Sequence, residues 1–152
     1  MLTNPESEVS TRIAAFQFHK SLGLTILALA LVRLVWRLLH PAPAYPAGMK
    51  AWERLAAEFT HGLLYACMVL IPLTGWLLIS TSKNRFPTHY FGTFEVPLRG
   101  GFADRHAVHE LTEALHYWFA IGIIGLIGLH LAGALKHRIV YKDTVFTRMM
   151  PG

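Results

Sequence analysis

Nine histidines occur in a chain of 152 residues that otherwise carries little charge. Imidazole is the side chain that binds metals or moves protons near neutral pH, so their placement comes first. Four of them, His109, His116, His130 and His137, follow one another at intervals of 7, 14 and 7 residues. On a helix, 14 residues advance about 1400°, within about 40° of four full turns. His116 and His130 therefore share a face and lie about 21 Å apart along the axis. His19 and Arg33 repeat the 14-residue offset. Two imidazoles from facing helices, above and below a porphyrin plane, are the means by which a bundle holds low-spin haem. An arginine one level away suits haem propionates drawn towards lipid. Gly23 lies one turn from His19, and Gly133 and Ala134 one turn from His130, so a flat macrocycle has room near the backbone.

Plainer roles stand beside this chemistry. His109 and His137 fall near the ends of an apolar run, where histidine serves as a polar end-marker. His40, His89 and His106 are loop or boundary residues with no assigned role. Arg33 has two readings from spacing alone, a propionate partner or a cation that snorkels to the surface. Zinc is the rival metal, but zinc sites gather their ligands in one place, whereas these histidines are stacked at two depths. Cys67 sits inside an apolar run, where packing is the ordinary use of a thiol.

The elements that must position these residues are membrane spans. The chain is 53% hydrophobic and 15% charged, more apolar than a soluble domain of this size. Crossing the hydrocarbon takes roughly 20 mostly apolar residues in a helix. Three stretches qualify: about Phe18 to Leu39, about Phe59 to Ser80, and the 22 uncharged residues 114–135 between Glu113 and Lys136. Pro41, Pro43 and Pro46 stop the first, and Pro72 kinks the second. The fold expected is all-α, a single transmembrane bundle over residues 1–152.

The net charge of +5 does not point to nucleic acid, because the basic residues collect at the ends of the spans. Arg33, Arg37, Lys50 and Arg54 border the first loop, and Lys136, Arg138, Lys142 and Arg148 follow the third span. Both groups belong on the cytoplasmic side, so spans one and three run outside to inside and span two returns between them. The outer loop is basic too, with Lys83, Arg85, Arg99 and Arg105, which softens the contrast. One cysteine excludes an intramolecular disulfide, and without Cys-x-x-Cys-His covalent haem attachment is excluded as well. The first residues form no signal peptide, since Glu6, Glu8 and Arg12 interrupt any apolar region.

The runs His19-Lys20-Ser21-Leu22-Gly23 and Arg33-Leu34-Val35-Trp36-Arg37 resemble the second helix of the prokaryotic cytochrome b561 family. The likeness continues through His61-Gly62-Leu63-Leu64-Tyr65 and Pro72-Leu73-Thr74-Gly75-Trp76 to His116-Tyr117-Trp118 and His130. It closes on Ala134-Leu135-Lys136-His137, Lys142-Asp143 and Arg148-Met149-Met150. The resemblance implies a four-helix bundle in the bacterial inner membrane with two b haems, of which this chain is expected to hold one or two. By position, His19 and His116 would bind the outer haem and His130 the inner one. The family's remaining ligand is a histidine on a preceding helix, so an N-terminally shortened form is expected, and a preceding helix would also return the N-terminus to the cytoplasm. His61 is the candidate within this chain to complete or assist the inner site.

The function this implies is electron transfer between a donor and quinone, with superoxide as one such donor. The basic outer loop suits an anionic donor, or is ordinary solvated charge. Two other classes remain open. A haem-bearing anchor subunit of a larger dehydrogenase or hydrogenase would co-purify with a soluble redox partner. A non-redox membrane protein would be colourless. An apolar flank left open would also suit a homodimer.

Overall fold

The computed structural model describes residues 5–40, 45, 48–83, 86–102 and 105–142, with side chains from residue 8 onward. The proline cluster at 41, 43 and 46, together with Arg85, Asp143, Arg148, Met149 and Met150, lies outside the described residues. Three long helices dominate: α1, Pro5–Leu39; α2, Ala51–Thr81; and α3, Arg105–Lys136. A five-residue π-helix, His137–Tyr141, extends α3. Each helix is long and apolar enough to cross a membrane. All three run past the expected spans, by 13 residues at the start of α1 (18 to 5), 8 at the start of α2 (59 to 51) and 9 at the start of α3 (114 to 105). Hydropathy marks only the part that crosses hydrocarbon, and backbone hydrogen bonding carries each helix on into polar sequence.

Burial is inverted relative to a soluble protein. Among the described residues, the buried apolar side chains are only Ala30, Cys67 and Ala134, while Ser21, Glu53, Thr60, Thr74, Ser80, Thr81, Thr112 and His137 are buried too. Large apolar residues such as Leu29, Val32, Trp118, Ile124 and Leu129 face outward. That is the pattern of helices that meet through small and polar residues and turn their apolar faces to lipid.

The interface between α2 and α3 is the most extensive, and it is periodic. Glu53, Thr60, Cys67, Thr74 and Thr81 fall at every seventh position of α2, and all five are buried. The antiparallel row on α3 and its π-helical extension is His109, His116, Ile123, His130 and His137. A seven-residue repeat keeps one stripe of each helix on the other. Where α2 starts and α3 ends, Glu53 closes the seam. One carboxylate oxygen accepts from the backbone N–H of Lys50 at 3.3 Å, capping α2. The other accepts from Lys136 Nζ and the Tyr141 hydroxyl, each at 2.8 Å. The π-helix then ends on Lys142 in the left-handed region, φ 51°, whose N–H returns to the His137 carbonyl.

The segment between α2 and α3 contains a small hairpin that was not expected, β1 Thr88–Tyr90 paired antiparallel with β2 Phe94–Val96. Its turn places Phe91 and Gly92 at positive φ. The hairpin docks on α1 through polar groups of α1's N-terminal half. Gln17 donates to the Pro87 carbonyl at 2.9 Å and accepts from His89 N–H at 3.2 Å. The Ser21 hydroxyl, fully buried, accepts from Phe91 N–H at 3.0 Å. Lys20 donates to the Phe86 and Pro87 carbonyls.

Candidate cofactor site between the helices

α1 packs against α2 and β1, and among the described residues its backbone does not approach α3. Imidazoles span that separation. The rings of His19 and His116 face each other edge-on, with centroids 6.2 Å apart. Two imidazoles on opposite sides of one metal, each bonded at about 2 Å, would have centroids roughly 6 Å apart. Among the described residues the His19 ring makes no hydrogen bond, which leaves its nitrogens open to a ligand. Beside the pair lies a cavity of about 340 Å³, lined by both histidines with Gly23, Ile26, Met68 and Ile71 among others. An apolar cavity with two convergent imidazoles fits a porphyrin better than a zinc ion, and no cluster of three or more metal-binding side chains occurs among the described residues.

The part of α2 around Pro72 holds His116 in place. Its Nδ1 lies 3.0 Å from the Ile71 carbonyl and 3.3 Å from Thr74 Oγ1. Pro72 lies inside α2 without interrupting it and supplies no N–H to the preceding turn. Gly75 completes the fit, since a β-carbon there would come within 2.9 Å of His116 Cε1. The Pro72-Leu73-Thr74-Gly75 stretch is thus a seat for one imidazole.

At the second level, the rings of His61 and His130 meet edge-on with centroids 5.2 Å apart. Arg33 and Arg37 of α1 are close enough to act electrostatically on His61. The structure therefore brings His61, His130 and Arg33 to one depth, and His19, His116 and Gly23 to the other. Cys67, between the two levels, lines the cavity and is buried.

The remaining histidines are tied locally. His40 stacks on Trp36 at 3.9 Å. His89 stands in β1. His106 pairs with Glu110 at 3.5 Å on the surface. His109 Nδ1 lies 3.2 Å from Thr81 Oγ1, a firmer tie than an end-marker needs. His137 is buried and meets the Tyr141 ring at 5.1 Å. Sequence reasoning missed Thr74, Gly75 and the Ile71 carbonyl as parts of the site. The available signal was the seven-residue repeat of small and polar residues on α2 opposite the histidine row.

The fold and this site define an integral membrane helical bundle with imidazoles facing one another at two depths. The family model of prokaryotic cytochrome b561 matches residues 1–152, and the chain belongs to that family of membrane b-type cytochromes, which implies haem b. It is 34% identical over 134 residues to cytochrome b561 homolog 2 of Escherichia coli strain K12, covering 88% of this chain and 69% of that protein. Cytochrome b561 homolog 1 of the same strain is 28% identical over 143 residues, 93% of this chain and 78% of the relative. A probable superoxide oxidase of Yersinia pestis is 26% identical over 133 residues, covering 88% and 73%.

Proposed function

We propose that this chain carries electrons across the bacterial inner membrane to quinone, on b haems held at two levels of the bundle. The observation that carries this reading is the His19–His116 pair, 6.2 Å apart across the separation between α1 and α3. His19 and His116 would hold the outer haem, with Gly23 leaving room beside them. His130 is one ligand of the inner haem. The His61 ring, 5.2 Å from that of His130, would line the inner site. Arg33, with Arg37, offers positive charge to propionates at that depth.

Bound haem supplies a reversible one-electron carrier, whose potential the protein sets through ligands, dryness and charge. The chain's own residues do the rest. The two levels are about 21 Å apart along α3. The apolar shell around the cavity excludes water. Lys83 and Arg99 give the outer loop a positive field that draws in an anionic donor. Superoxide fits, because its one-electron oxidation gives dioxygen and releases no proton. Two such electrons and two protons convert a quinone to its quinol. The lipid bilayer is the solvent of the apolar faces, and the open flank of α1 leaves room for a second copy or a redox partner.

The test uses proteoliposomes containing a quinone, with superoxide generated outside. Haem absorption should rise as electrons enter and fall as quinone takes them up, and His130→Ala should keep the rise and lose the quinone-dependent fall. Haem that is reduced but never reoxidised by quinone in the wild type would contradict the assignment.

A further inference from the structure

We propose that Thr74 is a positioning residue for His116. With the Ile71 carbonyl it fixes the imidazole as the Nδ1–H tautomer, presents Nε2 to iron and keeps the potential of that haem low. The inference rests on the reading of His116 as a ligand.

The hydrogen bonds decide the tautomer. The Ile71 carbonyl, 3.0 Å from His116 Nδ1, can only accept. The Thr74 hydroxyl has a single proton, and its shortest contact is with the Leu70 carbonyl at 2.8 Å, ahead of Ile71 at 2.9 Å. Its oxygen therefore meets Nδ1, at 3.3 Å, as an acceptor too. With acceptors on both sides, Nδ1 carries the proton and Nε2 keeps its lone pair. An N–H that donates to a fixed oxygen makes the imidazole a stronger base and fixes its plane. A more basic ligand favours ferric over ferrous iron and lowers the potential.

Thr74 is well placed for this work. Its side chain is buried, and Gly75 beside it allows His116 to come this close. One heptad outward the same device recurs. Thr81 donates to the Leu77 carbonyl at 2.9 Å and accepts from His109 Nδ1 at 3.2 Å. Among the described residues no second imidazole is in ring contact with His109, so Thr81 provides a matched control.

The test is a potentiometric titration, with electron paramagnetic resonance of the ferric low-spin signals, on the purified haem-loaded protein. Thr74→Val keeps the shape and removes the acceptor. It should move the midpoint potential of one haem upward and change the g-values of that haem alone. Thr74→Ser should restore both, and Thr81→Val should change neither. Where valine is not tolerated, Thr74→Ala reads the same loss. Unchanged potential and g-values in the haem-loaded Thr74 variants, or an equal shift from Thr81→Val, would overturn the proposal. The underlying reading is tested separately, because His116→Leu that keeps its full haem content would show that His116 is not a ligand.

Discussion

Gly75 and His116 meet so closely that the choice of residue at one fixes the position of the other. A methyl group at Gly75 would stand within 2.9 Å of the His116 ring. Overpacking of this kind costs about 1–3 kcal/mol, and here the imidazole is what must yield. Gly75→Ala should therefore lower the melting temperature in detergent and reduce haem content, both measured on one preparation. The histidines themselves are legible in the sequence because their spacing is a multiple of seven, which a helix turns into a shared face. Thr74 and Gly75 are not, since a hydroxyl and a glycine in an apolar run look like ordinary span residues. Only the partner helix shows that they touch an imidazole.

At the scale of elements, helix ends and connections carry information that hydropathy does not. The three spans are legible as long uncharged runs, but their true starts lie in polar sequence. Glu53 joins the start of α2 to the end of α3 through Lys136 and Tyr141. Removing either side of this contact should cost thermal stability, and the Glu53→Gln, Lys136→Met double variant should lose less than the sum of the two singles. A melting series on the four proteins checks this; strict additivity would count against a shared clamp. The hairpin over the outer level is not legible in the sequence because its three-residue strands carry too little periodicity to register. Its seat on α1 depends on Ser21, whose hydroxyl satisfies Phe91 N–H. Ser21→Ala leaves that donor unpaired, at a cost of about 1–3 kcal/mol. Faster proteolytic cleavage between residues 86 and 99 is the expected sign, with the transmembrane helices intact.

For the whole molecule, the inverted burial and the spacing of the two histidine levels belong to one design. Small and hydroxyl-bearing residues line the seam between α2 and α3, and the apolar bulk faces lipid. Matched depths on α1 and α3 follow from equal 14-residue offsets, which residue spacing alone makes legible. The separation of α1 from α3 and its bridging by His19 and His116 are not legible in that way, because they depend on how three helices share two interfaces. The most direct test is a pyridine haemochrome count of b haem per chain in the wild type, His116→Ala and His130→Ala. Loss of one b haem in His116→Ala, with a different reduced-minus-oxidised component lost in His130→Ala, is the result predicted. A wild type that binds no haem, or two variants that keep the full complement, would contradict the account.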